Sequence, residues 1–416
     1  MRWALPLLFV AHVASAQVLS KSIRGGGLSP ERFPASGAAA AASDTSLLRL
    51  LPSISASDEC TGSAITGTRG EPLTFTRTSS AYCTKSDGTL VLLTDNKPRL
   101  VLAGLMREGA STNQTFYSQQ FDHAYWTKLT TTVTADTTSA PDGTTTADRI
   151  QLTGGSSAIQ QTAGGAYESQ THTASIYVKS NTGGTQTFRL KLTHAAVLDY
   201  FSPNLTATTS WQRFTFTQAF GATVGTGATV GLVADSGGTA ADIVAWGHQL
   251  EKNQNHASSY IIALGTSTSR VGELLTLPNP AALSRTEGCT RVTYTTGYNG
   301  AIGGTDYILW LAATDGFRVP YLQSNSVSAY DGVHVVGTSK TPVFGETFDI
   351  LTTWTAAGNQ LRIKPSGVSA ATSVFTTMGV AGANMQLLNI SGAGAWPAYL
   401  RNVTIGATAA DCGSDP

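Results

Sequence analysis

Three runs near the middle of this 416-residue chain carry side chains suited to stacking and hydrogen bonding. In ASIYVKS, an extended backbone puts Ile176 and Val178 on one side and Tyr177 and Lys179 on the other. In TFRLKLTH, Phe188, Leu190 and Leu192 oppose Arg189, Lys191 and Thr193, and in WQRFTFT Arg213 lies opposite Phe214. If the three runs are neighbours in one sheet, Tyr177, Lys179, Arg189, Lys191 and Arg213 share a surface. Two uses fit it. Lys and Arg can serve a solvated outer face, or Tyr177 can be a flat platform in a groove where the cations meet hydroxyls or carboxylates. Tyr200 and Phe201, adjacent in LDYFSPN before a Pro-Asn turn, read as a loop tip. There a ring can stack on a sugar or cap an edge of the core.

Bond-breaking chemistry has no comparable signature. HExxH, the GxSxG elbow, the P-loop and a strand–helix GxGxxG do not occur. The seven histidines are isolated in sequence. A pair of glycosidase carboxylates is set by space rather than by sequence, so acid–base cleavage has no pattern to read here.

The elements that must position these residues are short strands. Between about 129 and 252, TASIYVKS, TFRLKLTH, WQRFTFTQ, ATVGLVAD and ADIVAWGHQLE show alternation or β-branched enrichment, bounded by Gly, Asn, Ser or Pro. A second set runs from near Thr286, with RVTYTT, DYILWLAA, FDILTTWTA, NQLRIKPS and LRNVTIGA. Charged residues make up 12% of the chain against a usual share of about 25%, with 43 glycines. Such a composition favours many strands and tight turns over helices. We therefore expect an all-β protein of two β-sandwich, jelly-roll-like domains in tandem, at 59–270 and 286–413, after a low-complexity leader at 17–58. In the sandwiches, Trp246, Trp310, Trp354 and Trp396 are expected to pack rather than bind.

The N-terminus, MRWALPLLFVAHVASAQ, has a positive Arg2, a short apolar run and Ala14-Ser15-Ala16. It reads as a secretory signal peptide over 1–16, cut after Ala16, and the apolar run falls short of the roughly 20 residues of a membrane span. No later segment is long and apolar enough to cross a bilayer. Formal net charge is zero, so no overall field recruits nucleic acid. Cys60, Cys83, Cys289 and Cys412 are an even set, spaced too widely for a zinc cluster. With Cys289 opening the second unit and Cys412 closing it, the expected bridges are Cys60–Cys83 and Cys289–Cys412.

A family resemblance rests on EPLTFTRTSSAYCTKSDGTL, NKPRLV, GLMREGASTNQTFYSQQFDHAYWTK, TTSAPDGTTTADRIQLT, ASIYVKS, TSWQRFTFT, VAWGHQLEK and SSYIIALGTSTSRVGELL. In order and spacing these resemble a module of bacteriophage tail and other virion proteins and of bacterial surface proteins, from Gly70 to about Arg270. Arg107 stands where that family usually has an apolar residue, and an export signal is foreign to a virion part. The module's centre is similar to carbohydrate-binding-module jelly rolls. Residues after 286 resemble, more weakly, a concanavalin A-like or laminin-G-like sandwich. The resemblance implies that Glu108 to Asn113 form an ordered connection into the jelly roll, with Phe121 and Trp126 sealing its edge. It also implies room for a structural calcium ion, for which Asp242 and Glu251 are candidates or else ordinary polar strand edges.

The expected function is a secreted, non-catalytic protein that recognises a glycan or cell-surface polysaccharide. The alternatives are a structural or host-attachment part of a phage-derived particle, with self-assembly, and a glycan-cleaving enzyme.

Overall fold

The structure is a computed structural model that describes residues 46–50, 54–65, 73–194, 198–222, 226–278, 284–297, 305–312, 318–323, 326–341, 343, 345–375, 381–391 and 398–416. The expected signal peptide, its cleavage site, most of the leader and Trp396 lie outside the described residues, as does the side chain of Trp310. Everything described belongs to one compact unit, Thr45–Pro416. Its regular elements are all strands apart from two 3-10 turns at Ala56–Asp58 and Ala409–Cys412. Among the described residues no helix is long and apolar enough to cross a membrane.

Two sandwiches share the unit. The first packs one sheet, ordered Gln212–Ala219, Thr171–Ser180, Ala241–Lys252, Ala147–Leu152 and Thr131–Thr138, against another. The second sheet is ordered Leu198–Phe201, Gln186–His194, Thr226–Ala234, Ala158–Ala166 and Thr127–Leu129. Alternation explains the packing: Ile176, Val178 and Ile243 from one sheet meet Phe188, Leu190 and Leu232 from the other in a common core. Phe121 and Trp126 lie inside that core, at 0% and 1% exposure, rather than along its edge.

The other sandwich draws its strands from both ends of the described chain. Its first sheet runs Ala371–Ser373, Gln360–Pro365, Thr347–Thr355, Glu287–Thr296, Ala398–Gly406, Gly104–Arg107 and Arg99–Val101, with Ser46–Leu50 also on Ala398–Gly406. Its second sheet begins with Thr74–Thr76 and Leu274–Pro278, followed by Ala381–Ser391 and Thr305–Ala312. Phe75, Leu105 and Leu275 pack in one core with Val292, Ile350, Trp354 and Leu400. Strands from 46–107 and 274–278, expected in the leader, the first domain or the junction, thus complete the C-terminal sandwich. Residues 111–270 form an insertion between two of its strands. Short runs such as LTFT and GLMR fit either core by alternation, and pairing partners about 200 and nearly 300 positions away decide between them.

A buried ionic cluster closes the neck of the insertion. Arg99 contacts Glu108 and Glu273, each at 2.7 Å, Arg77 reaches Glu273 at 2.7 Å, and Arg270 reaches Glu108 at 2.5 Å. Burial pushes the Glu108 carboxyl up, but Arg270 and Arg99 outweigh it and hold it well below the usual range. Asn113 finishes the connection: its Nδ2 donates to His248 O and Ile261 O, and its Oδ1 accepts from Thr115 N and Leu250 N. The GLMREGASTN stretch is therefore ordered by short ladders at Gly104–Arg107 and Ser111–Asn113 and by side-chain bonds at Glu108 and Asn113.

Cys60 pairs with Cys83 and Cys289 with Cys412, with Cα separations of 5.6 and 6.1 Å. The second bridge ties the C-terminal 3-10 turn to strand Glu287–Thr296.

Candidate functional site

The strands carrying the candidate residues enter different sheets. Thr171–Ser180 and Gln212–Ala219 pair with each other, whereas Gln186–His194 crosses to the facing sheet. Both sheets turn their apolar side chains inward, so their polar sides point away from each other. Tyr177, Lys179 and Arg213 lie on one outer side, Arg189 and Lys191 on the opposite one. The single surface expected from alternation does not form, because alternation gives the side of a strand but not its sheet.

The Tyr177 side is itself covered. Tyr177 is 6% exposed and packs with Tyr82, Leu90, Ala140, Trp246 and Tyr260, beneath the hairpin Ala81–Thr84 and Leu90–Leu93. Its ring centroid is 5.7 Å from Trp246, and burial raises its hydroxyl pKa. Arg213 sits 5.3 Å from the Tyr177 ring centroid and donates to Ser175 Oγ at 2.9 Å. Lys179 Nζ lies 4.9 Å from the Trp211 ring centroid. Tyr177 is part of the packing between sheet and hairpin and offers no platform.

The opposite side keeps an open ring. Phe201, on strand Leu198–Phe201, stands directly across from Lys191 and is 41% exposed. The Arg189 guanidinium carbon lies 4.6 Å from its centroid, and Lys191 Nζ lies 5.9 Å away. Arg189 Nε donates to Ala234 O at 3.2 Å. Its two terminal nitrogens take part in no ion pair among the described residues. Asp199, unread in the sequence, contacts Lys191 at 3.0 Å and accepts from Thr193 Oγ1 at 2.6 Å. Partial burial raises the Asp199 carboxyl, but Thr193 and Lys191 outweigh this and hold it below its ordinary value. Period-2 reading from Phe201 would have placed Asp199 beside it.

Tyr200 faces inward, stacked on Phe220 at 5.5 Å and 18°, and half-buried in the core. The expected loop tip is an edge strand whose two rings divide: Phe201 outward, Tyr200 inward. Across the same outer side, Lys191 opposes Gly231, which opposes Gln160. A Cβ at Gly231 would lie 2.0 Å from Ile159 O, so the floor beside Lys191 stays bare. The site is a shallow sheet surface with an aromatic ring, cationic donors and one carboxylate.

The calcium candidates are engaged elsewhere. Arg149 binds Asp242 through two hydrogen bonds of 2.9 and 2.6 Å. Glu251 is fully buried and accepts from Ser111 Oγ, Ser258 Oγ and Ser258 N. Among the described residues no three His, Cys, Asp or Glu side chains form a metal-binding group.

No protein-family model matches the chain, and no curated protein does. Among solved structures, the chain is similar to the CBM22-1 xylan-binding domain from Paenibacillus barcinonensis Xyn10C, at 13% identity and a TM-score of 0.26. The match covers 36% of this chain and 94% of that one. It is also similar to the N-terminal CBM22-1-CBM22-2 tandem domain of the same protein, at 11% identity and a TM-score of 0.25, covering 72% of this chain and 97% of that one.

Proposed function

We propose that this is a secreted, non-catalytic protein that binds carbohydrate on the outer sheet surface around Phe201. The observation that carries the reading is the joining of three features: an exposed ring, the open Arg189 fork and the Asp199 carboxylate. A sugar ring presents an apolar C–H face together with hydroxyls that both donate and accept. Aromatic stacking serves the first, and Arg189 with Asp199 serves the second. Binding without cleavage is favoured by the charge state of the nearby carboxylates. A glycosidase needs one protonated acid. Asp199 is held below its usual pKa, and Asp235, near enough to feel Arg189, is lowered chiefly by the backbone N–H of Thr239. The two disulfides suit an oxidising, extracellular setting.

A glycan array probed with the mature chain and with Phe201→Ala tests the proposal. The parent should bind a defined set of saccharides and the variant should lose them. Equal patterns for the two, or no bound saccharide at all, would remove the assignment. Release of new reducing ends from a bound polysaccharide would turn the reading to an enzyme.

A further inference from the structure

A second concave site lies away from Phe201, beside the connection into the inserted sandwich. It encloses about 470 Å³ and is walled by Thr112, Gln114, Gln170, Lys252, Asn253 and Ser269, among others. That volume falls within the range of small-molecule clefts of about 300–1,000 Å³. Three chain segments fix its walls. Thr112 Oγ1 and Ser269 Oγ are bonded at 2.8 Å across the paired strands Ser111–Asn113 and Thr268–Arg270. Gln254 N donates to Thr171 O, and Thr173 Oγ1 donates to Gln254 O, each at 2.9 Å. Asn253 takes the left-handed φ of 54° that turns Lys252 and Gln254 about this rim.

The charge in this groove is one-sided. No carboxylate lines it. The lysine ion pairs among the described residues are Lys191–Asp199 and Lys340–Glu346, so the Lys252 ammonium has no anionic partner. It rests 5.2 Å from the Tyr167 ring centroid. Glu251, its neighbour in sequence, is turned into a buried bond with Ser111 and Ser258. We infer that the groove binds an acidic saccharide unit, whose carboxylate or sulfate meets Lys252 while the amides and hydroxyls serve its hydroxyl groups. Amide side chains both donate and accept, as sugar hydroxyls do, and an ammonium without a counter-charge selects an oxyanion. This site is independent of the surface around Phe201.

Calorimetry on the mature chain with a galacturonic acid trisaccharide, its carboxyl-reduced counterpart and a sulfated galactose trisaccharide tests the inference. The galacturonate should bind at least about tenfold tighter than the reduced sugar. Lys252→Met should erase that difference, Lys252→Arg should retain it, and Phe201→Ala should leave it intact. Tight binding of the sulfated sugar as well would assign the preference to charge, and its failure would assign it to the carboxylate. Either result upholds the site. Equal binding of acidic and reduced sugars, no binding of either, an unchanged preference in Lys252→Met, or its loss in Phe201→Ala would overturn it.

Discussion

Arg99 and Glu273 meet at 2.7 Å with neither side chain exposed, although 174 positions separate them. The pair joins the point where the chain leaves the C-terminal sandwich to the point where it returns. Glu273 also accepts from Arg77 and from the backbone N–H of Glu108, so one carboxylate serves both ends of the neck. Removing a partner from a buried pair leaves an unmatched charge in a medium that solvates it poorly.

Glu273→Gln should therefore destabilise the protein by about 3–5 kcal/mol, since Arg77 and Arg99 are left facing a neutral amide. Chemical denaturation monitored by Trp fluorescence gives the measurement. A loss below about 1 kcal/mol, the range of exposed pairs, would show that the neck does not depend on this cluster.

Acid should weaken the fold in two stages. His248 is fully buried, and burial pushes its pKa down to about 3; burial also lowers His172. Both take up protons on unfolding at about pH 6.5, so their contribution is complete above that value and declines as pH falls. Asp148 acts in the opposite sense. Burial raises it to about 6, above its unfolded value of about 3.9, so between those values falling pH favours the fold. Below about pH 4 the depressed Glu108 and Glu273 join the histidines. We expect a gentle decline in denaturation midpoint from pH 6.5 to 4 and a steep one below. Asp148→Asn should steepen the first stage; an unchanged slope there would refute the assignment.

Arg189→Ala should weaken glycan binding at least about tenfold, because a charge-assisted hydrogen bond contributes about 1.5–3 kcal/mol. The partly exposed side chain leaves the core intact, so the denaturation midpoint should stay close to the parent's. Tyr177→Ala should behave in reverse. It should lower stability by about 3–5 kcal/mol, as aromatic truncations in a core do, while the remaining folded fraction binds normally. Titrations corrected for folded fraction separate the two. Parent-like affinity in Arg189→Ala would move the site elsewhere.

Replacing Cys289 and Cys412 together by Ala should cost about 2–5 kcal/mol, since the bridge closes a loop with a sequence separation of 123. The Cys60–Cys83 bridge closes a much shorter one, with a separation of 23, and its removal should lower the melting temperature less. Calorimetric scans of the two double variants test the order.

Much of this architecture is legible in single segments. The alternation of TFRLKLTH marks Phe188 and Leu190 as core and Arg189 and Lys191 as outer, and both orientations hold in the structure. The short strands bounded by turn residues imply an all-β fold, and the even cysteine set implies disulfides, which the structure forms as Cys60–Cys83 and Cys289–Cys412. Alternation is a local property, however, and the choice of sheet is not. Whether Gln186–His194 lies beside Thr171–Ser180 or faces it depends on pairing with Thr226–Ala234, and that choice put Arg189 opposite Tyr177. Covering is equally non-local: nothing in ASIYVKS reveals that Tyr82 and Tyr260 will close over Tyr177. The same holds for GLMR, which joins a strand nearly 300 positions away. Sequence by itself determined the strand class and the apolar side of regularly alternating runs such as TFRLKLTH, because these follow from backbone geometry. Only tertiary structure decided which polar sides stay open to solvent, because exposure depends on what distant segments bury.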